Sequence, residues 1–414
     1  MRGGASIWPS SFARLCAAVA FILVSGCSTT ALDRAQLQYA SGDAVSALQT
    51  LGDGSDIASR DKLLYWLERG LILHEEGDYE QSTQSLLKAA ESIEENDFIS
   101  IRGEASTLFA NDWVRKYKGE YSEQLWVHTY LMMNFLAVGR YDSAAVEARR
   151  ALERIADKES VLEQDAFTRA LIALSFEMAG QANSAYIEYR KLEDLVGDPG
   201  GTLHATLFRL AKSLGFSDDA RHYKNLLAAP TMQKQSHAEV VLFVGAGNLP
   251  QKVSSSLLID YDERVAFPQY LPVQSVLPAL TVEVDGELCD CSLVVSNLGQ
   301  LARNSLSSRG IALTARLLAR GAAKNAIADN IAKKDEVAGE IARLLLFVLE
   351  EADTRGWTSL PGYLTLVRVP VAKGSQEIVI DAFSTTPAVI DISDIRAGEK
   401  RFIPMRDRGY SYLQ

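Results

Sequence analysis

Histidine and cysteine, the side chains that most often ligate metals or act as nucleophiles, are scarce in this chain. Its 414 residues include 5 histidines and 4 cysteines, and only Cys289 and Cys291 lie beyond position 27. This excludes a disulfide framework of the kind that stabilises small secreted domains. The sequence also lacks a P-loop, an H-E-x-x-H helix and a G-x-S-x-G turn. We therefore predict no catalytic residues, no metal site and no cofactor.

Basic residues are fewer than acidic residues in this chain. The formal net charge is −11, and it becomes −13 without the first 26 residues, which hold Arg2 and Arg14 and no acid. Nucleic acids and anionic lipid surfaces favour basic proteins. We therefore expect no nucleic-acid partner.

Two short motifs have more than one interpretation. On a strand, the thiols of Cys289 and Cys291 point to the same face, where they can form a metal site or a local disulfide. Two ligands without a nearby histidine make a weak metal site. The pair Gly245 and Gly247 follows a predicted strand, but a third glycine is missing and Pro250 follows, so a turn is favoured over a nucleotide site.

The N-terminus has the pattern of an export signal. Two arginines precede an apolar run from Leu15 to Val24, which has the length of a signal core and is too short to span a bilayer. Ser25 and Gly26 then precede Cys27. This order resembles the lipobox of bacterial lipoproteins, and the resemblance implies cleavage after residue 26 and lipidation of Cys27 with diacylglycerol and a fatty acid such as palmitate. The alternative is an ordinary secretory signal with a chance cysteine.

The lipoprotein resemblance also implies a location. Several acyl chains anchor a protein stably, whereas one chain does not. The residue after the cysteine is Ser28 and not the aspartate that usually retains lipoproteins in the inner membrane. We therefore expect the periplasmic side of the outer membrane, with residues 27–37 as anchor and tether.

Residues 31–228 show a recurring helix–glycine–helix pattern. The turn glycines Gly42, Gly77, Gly139 and Gly180 are 35, 62 and 41 residues apart, and alanine-spaced helices follow them. The pattern resembles the tetratricopeptide repeat (TPR), a helical hairpin of about 34 residues. The resemblance implies an α-solenoid whose first helices line a concave groove. Another kind of helical bundle is the alternative.

Large polar and aromatic side chains of the first helices are candidates for binding a partner in that groove. The insertion at 101–124 adds an aromatic and basic segment, which is either a binding loop or a degenerate repeat helix. The alternative for each aromatic residue is packing between helices. The predicted partner-binding residues are Tyr65, Trp66, Arg69, His128, Tyr130 and Asn134 in the groove, and Trp113 and Tyr117 in the insertion.

After a linker at 229–237, residues 238–414 change to a period of two. This pattern predicts an α+β domain with a mostly antiparallel sheet and two helices. The predicted strands are 239–244, 256–260, 280–284, 289–295, 364–369 and 377–382, and the predicted helices are 301–332 and 338–352.

The segment from Asp353 to Pro361 reads D-x-R-x-W-x-x-L-P. We favour a structural role, in which Asp353 pairs with Arg355 and Trp357 fills a joint, over a binding role. With the TPR-like half, this motif resembles an uncharacterised family of proteobacterial lipoproteins. The resemblance implies a role in envelope assembly, because members of that family are often encoded beside small outer-membrane lipoproteins, some of which activate peptidoglycan synthases.

Together these observations predict a non-catalytic adaptor, anchored to the membrane through its lipid, that binds another cell-envelope protein through its helical groove. Two other interpretations stay open. One is a cell-wall-active enzyme with its site in 238–414, for which a paired-carboxylate cleft beside Trp357 would be the sign. The other is a lipid or glycan carrier with a deep apolar cavity. The sequence does not determine the oligomeric state.

Overall fold

The computed structural model describes twelve stretches of the chain and one isolated residue. Among them, the fold divides into two compact units, one that ends at Ile57 and one that begins at Ala58. The predicted signal, Cys27 and Trp113 lie outside the described residues, which are 30–103, 116–158, 160–198, 202–227, 237–260, 263–272, 280–289, 291–309, 319, 321–322, 325–348, 351–381 and 387–407.

Helices occupy most of the described residues up to 227, and further helical residues lie between residues 297 and 363, including 325–332. The unit that ends at Ile57 contains α1 and α2. The helices are α1 Ala31–Ala40, α2 Ala44–Leu51, α3 Lys62–Glu75, α4 Tyr79–Gly103, α5 Tyr121–Ala137, α6 Tyr141–Lys158, α7 Ala166–Met178, α8 Ala182–Val196, α9 Thr202–Leu214, α10 Ser217–Leu226, α11 Leu298–Ser308 and α12 Glu336–Val348.

The helices come in hairpins, as the glycine spacing predicts. Helix α3 packs on α4, α5 on α6, α7 on α8 and α9 on α10. The turn glycines Gly77, Gly139 and Gly180 have φ of 79°, 73° and 71°, a conformation that side chains with a Cβ rarely adopt. A helical-hairpin repeat of the TPR type is therefore present.

In the described parts of the chain, ten strands form three sheets. Sheet A has the order β10-β1-β7-β6, β2 and β3 form a separate hairpin, and sheet C has the order β5-β4-β8-β9. The strands are β1 Ala238–Ala246, β2 Lys252–Asp260, β3 Glu263–Tyr270, β4 Thr281–Val284, β5 Glu287–Leu288, β6 Ser292–Asn297, β7 Tyr363–Val371, β8 Glu377–Asp381, β9 Ala388–Asp391 and β10 Lys400–Asp407.

The predicted mostly antiparallel arrangement is present, with one exception. Strand β10 pairs with β1 in parallel, so sheet A is mixed. Four of the strands, which are β3, β5, β9 and β10, were not predicted from the sequence. The helix predicted over 338–352 ends earlier, because Ala352 is not helical. A core of valine and isoleucine side chains from sheets A and C joins the two sheets.

Sheet A covers the face of the repeat that was predicted to be an open groove. Helix α5 contacts β10, and α7 contacts β6 and β7. As a result, every residue of α5 from Ser122 to Leu136 and of α7 from Ala166 to Phe176 is buried. These first helices of their hairpins are enclosed by their partner helices on one side and by the chain's own sheet on the other.

Within the described ranges, no helix combines the length and the apolar character that crossing a bilayer requires.

Candidate functional site

The segment from Asp353 to Pro361, called here the 353–361 segment, lies against the first helices of the repeat. Arg355 connects the two parts. Its guanidinium donates to Asp353 at 2.8 and 2.6 Å, and its third nitrogen, Nη1, donates to Asp61 Oδ1 at 2.7 Å. The predicted pairing of Asp353 with Arg355 is present, and the same arginine also binds the residue before α3.

Trp357 is fully buried, with 0% of its surface exposed. Its ring lies 5.6 Å from the ring of Tyr130 in α5, and its backbone N–H donates to Glu123 Oε1 at 2.8 Å. Thr358 continues the contact, because its N–H and hydroxyl both donate to Glu68 Oε1, at 2.9 and 3.1 Å. The joint that Trp357 fills is therefore the repeat groove itself.

A group of charged and phenolic side chains surrounds this contact, and we call it the Glu123 cluster. Both carboxylate oxygens of Glu120 accept from cations, Oε1 from Lys252 at 2.8 Å and Oε2 from Arg309 at 2.8 Å. Glu123 instead accepts only from neutral donors. The cluster consists of Tyr117, Glu120, Glu123, Lys252 and Arg309.

Glu123 accepts hydrogen bonds from three neutral donors. Its Oε2 accepts from the Tyr117 hydroxyl at 2.5 Å and from the Glu120 N–H at 2.9 Å, and its Oε1 accepts from the Trp357 N–H. Since Glu120 and Glu123 are the N-cap and N3 residues of α5, the bond from the Glu120 N–H to Glu123 is also part of a capping box.

The different partners separate the two carboxyl pKa values. Burial alone raises the pKa of Glu120, but the Lys252 and Arg309 charges bring it down to about 2. Burial raises the pKa of Glu123, and the Lys252 charge offsets only part of that increase. Burial also raises the pKa of Tyr117, and the charge of Glu123 adds to that increase.

Glu120 and Glu123 are two carboxyls with separated pKa values near Trp357, but they belong to the repeat and not to residues 238–414, where the enzyme interpretation places its carboxylate cleft. All four carboxylate oxygens of Glu120 and Glu123 are engaged by protein donors, and Glu123 and Trp357 are 1% and 0% exposed. The geometry is that of a buried, hydrogen-bonded contact between the repeat and the C-terminal segment.

A second charged group, the Glu177 cluster, joins sheet A to the repeat. Arg368 of β7 donates to both oxygens of Glu239 in β1, at 2.6 and 3.0 Å. Lys400 of β10 binds Glu177 at 2.7 Å and Glu239 at 3.1 Å. The cluster consists of Glu177, Tyr189, Arg209, Glu239, Arg368 and Lys400.

The repeat supplies the remaining contacts of this cluster. Arg209 donates to Glu177 Oε1 at 2.6 Å and Tyr189 donates to Oε2 at 2.7 Å. Burial alone raises the pKa of Glu177, but three neighbouring cations bring it down to about 2. In Glu239 the Arg368 charge likewise outweighs burial and lowers the carboxyl pKa.

Most of the predicted groove residues are buried in the structure. Tyr65, Tyr130 and Asn134 are 1%, 3% and 0% exposed. Asn134 connects the first two hairpins, because it contacts the His74 ring at 2.6 Å and donates to Ser82 at 2.8 Å. Burial lowers the pKa of His74 to about 4, so the imidazole is neutral at neutral pH.

Trp66 and Arg69 are half-buried and bind within their own hairpin. The Lys88 ammonium lies 4.3 Å from the centre of the Trp66 ring. Arg69 donates to Ser85 at 2.7 Å and to Gln81 at 3.0 Å. Both residues therefore have intramolecular partners.

His128 belongs to a repeated pair between the helices of a hairpin. It binds Glu147 at 2.7 Å, and Arg169 binds Glu188 at 2.7 Å in the next hairpin. His128 and Arg169 are 41 residues apart, as are Glu147 and Glu188 and the turn glycines of the two hairpins. The pairs occupy equivalent positions, and the repeat spacing was the sequence signal that would have revealed them.

Tyr117, the described aromatic of the insertion, is buried within the Glu123 cluster at 5% exposure. Trp113 lies outside the described residues. A partner protein would reach Tyr117 or Tyr130 only by displacing the chain's own C-terminal segment, because these rings lie beside Arg355 and Trp357. Their role in binding a partner stays a prediction, while their intramolecular contacts are established by the geometry.

Cys289 and Cys291 are joined by a disulfide. Among the described residues, no group of three or more histidine, cysteine or acidic side chains is placed to hold a metal ion.

An apolar cleft lies between α7, α8, α9 and the β6 edge of sheet A. Leu174, Leu192 and Leu366 are among its lining residues. The cleft has room for little more than a water molecule, about 30 Å³. It is too small for an acyl chain, so it does not support the lipid-carrier interpretation.

Sequence reasoning missed the key residues of both clusters, Glu123 and Glu177 among them. Lys252 and Glu120 are 132 positions apart, and Lys400 and Glu177 are 223 apart. Periodicity and short motifs carry no signal over such separations.

No protein-family model and no curated protein matches this chain. Among solved structures, it is similar to MamA. A structure of MamA from Desulfovibrio magneticus RS-1 is 16% identical, and the match covers 47% of this chain and 89% of that chain with a TM-score of 0.30. Another MamA structure is 14% identical, with coverages of 47% and 86% and a TM-score of 0.32. At these values the likeness carries no argument, and the repeat assignment rests on the hairpins themselves.

Proposed function

We propose that this chain is a lipid-anchored, non-catalytic adaptor of the bacterial cell envelope, held at the periplasmic side of the outer membrane through Cys27, that binds another envelope protein. The observation that carries the proposal is the closed contact between the repeat and the 353–361 segment. In that contact the buried carboxylates Glu68 and Glu123 accept from the N–H groups of Thr358 and Trp357 in the segment.

This contact also changes how the adaptor works. Because sheet A and the 353–361 segment cover the first helices, the repeat serves as a support that holds the C-terminal sheets in place. The partner then binds an outer surface of the C-terminal region. The anchor supplies the location, and the rigid support fixes the orientation of that surface relative to the membrane.

The experiment is affinity capture from cells that carry the tagged protein, compared with Cys27→Ala. Incorporation of a labelled fatty acid into the wild type but not into the variant tests the anchor directly. We expect one envelope protein to be recovered with the wild type and to be lost or reduced when Cys27→Ala releases the protein from the membrane. Recovery that is the same for both forms would contradict the proposed role of the anchor.

The enzyme alternative is favoured by one observation, the separated pKa values of Glu120 and Glu123. Its test is digestion of purified peptidoglycan by the wild type and by Glu123→Gln. Release of soluble fragments that depends on Glu123 would overturn the adaptor proposal. We expect no release from either protein.

A further inference from the structure

The outer face of sheet C carries an apolar row between acidic side chains. Because side chains alternate across a strand, the pairing register assigns each residue to a face. The inner residues Val282, Ile378 and Ile380 are buried in the core with sheet A. The outer face therefore consists of the alternate residues, which are Thr281, Glu283, Leu288, Glu377, Val379, Asp381, Val389 and Asp391.

The apolar row consists of three side chains, Leu288 on β5, Val379 on β8 and Val389 on β9. The acidic side chain of Glu283 on β4 lies between Leu288 and Val379, whereas Val379 and Val389 are direct neighbours. Leu288 is 72% exposed and Val389 is 63% exposed. Exposed apolar side chains on one sheet face can contribute to a surface that binds another molecule.

The strands of this face carry charge of one sign. The outer-face residues include four acids, Glu283, Glu377, Asp381 and Asp391, and the stretches 281–288, 377–381 and 388–391 contain no lysine or arginine. Nearby Arg401 pairs with Asp394 and Glu399, and its charge also acts on Asp391. Apolar side chains among these carboxylates disfavour anionic lipid and nucleic acid and complement a basic chain.

Strand β9 offers a place for such a chain to add. It is the last strand of sheet C among the described residues. An extended segment that pairs with an edge strand gains main-chain hydrogen bonds, and alternate side chains then decide specificity. Beside β9, an apolar side chain would extend the row at Val389, and a basic one would lie opposite Asp391.

We propose that the outer face of sheet C is the partner-binding surface, and that it takes an extended segment of an envelope protein in which basic and apolar residues share one face. This inference rests on the proposed function for the identity of the partner as an envelope protein, but the surface can be tested without cells or anchor. The ligand class is a cationic, apolar peptide.

The test uses purified protein and a short fluorescent peptide that contains lysine and leucine so arranged that both project from one face of an extended chain. Two comparison peptides replace lysine by glutamate or leucine by serine. We expect binding of the first peptide, no binding of the glutamate peptide, weaker binding of the serine peptide, and weakening by salt. Equal binding of the glutamate peptide would overturn the proposal.

Two matched variants assign the binding to this face. Leu288→Ser combined with Val389→Ser should weaken the peptide by roughly tenfold. The triple variant Glu283→Gln, Glu377→Gln and Asp381→Asn should weaken it similarly, whereas Glu91→Gln, Glu94→Gln and Glu95→Gln, which remove the same charge from exposed positions of α4, should not. If both triple variants weaken binding equally, the attraction is general and the face is not a site.

The outcome separates this proposal from the adaptor function. If the peptide binds this face but cellular capture recovers no envelope protein, the adaptor function fails and the surface stands. If capture succeeds and survives Leu288→Ser with Val389→Ser, the partner uses another surface and this inference is wrong.

Discussion

The two charged clusters that join the C-terminal region to the repeat differ in how their carboxylates are neutralised. In the Glu177 cluster, Arg209, Arg368 and Lys400 surround two carboxylates, and both carboxyl pKa values are lowered. In the Glu123 cluster, both cations bind Glu120, and Glu123 has only neutral donors, so burial raises its pKa. The side chains of Glu177 and Glu123 are both buried, yet their carboxyl pKa values are shifted in opposite directions.

The difference shows that the position of the cation decides the cost of a buried carboxylate. A buried charge whose partner is removed destabilises a protein strongly, whereas a polar group that keeps its hydrogen bonds does not. We therefore expect the Glu177 cluster to be sensitive to loss of a charge and the Glu123 cluster to be sensitive to loss of a neutral donor.

The largest effect is expected from Arg368→Met. It leaves Glu239 and Glu177 buried with one cation fewer and should lower the free energy of unfolding by about 3–5 kcal/mol. Urea unfolding followed by circular dichroism measures it. The control is Arg221→Met, whose pair with Asp218 is 72% and 92% exposed and should contribute little. A loss for Arg368→Met no larger than that of the control would contradict the account of this cluster.

Glu177→Gln should cost about 2–3 kcal/mol at neutral pH, because it removes charged hydrogen bonds. The native pKa of about 2 lies below the ordinary value of about 4.3. The stabilisation by Glu177 is therefore complete at pH values above the ordinary glutamate pKa, and it is lost as the pH falls toward 2. The difference between wild type and variant should shrink over that interval, and unfolding at several pH values measures it. A constant difference would mean that the glutamate acts through packing and not through its charge.

Tyr117→Phe should cost about 1–2 kcal/mol, since Glu123 loses its hydroxyl donor while packing is kept. The same unfolding measurement reports it. As a matched comparison, Tyr141→Phe removes a hydroxyl from the first residue of α6, where the tyrosine ring lies 6.2 Å from the ring of Phe402, and it should cost less. Equal losses would remove the special role of Tyr117.

The smallest effect is expected from Glu123→Gln, within about 1 kcal/mol at neutral pH, because an amide keeps an acceptor for the Trp357 N–H and removes a buried charge. Because the pKa of Glu123 is raised in the native state, its protonation stabilises the fold. This stabilisation is complete at pH values below the ordinary glutamate pKa, and it is lost as the pH rises through the native pKa. The variant should show less of this pH dependence. If Glu123→Gln lowered the free energy of unfolding at neutral pH as much as Glu177→Gln does, the proposed difference between the two clusters would be wrong.

Secondary structure was predicted best where the signal is local. The turn glycines and alanine-spaced helices predicted the hairpins, and runs of β-branched residues predicted β1 and β7. Strands β3 and β10 were missed because Pro268 and Pro404 interrupt their patterns and because proline is confined to strand edges or ends. Strands β5 and β9 are too short to show a period.

The candidate site was predicted only in part. The Asp353–Arg355 pair was predicted correctly because its members are two positions apart. The groove candidates were chosen as large side chains on the first helices, and the sequence did not show that the chain itself covers them. The domain boundary near residue 228 stays a prediction about folding units, while the charged clusters join the two sides of it.

The sequence by itself determined the helical repeat, the change to strands after residue 237 and the acidic character of sheet C, because each is a matter of composition or of spacing within a few turns or strands. Only the tertiary structure decided that the groove is closed, which carboxylate receives a cation, and which residues of sheet C share its outer face. These depend on contacts between residues far apart in the chain, where pairing is fixed by how the layers pack and not by local pattern.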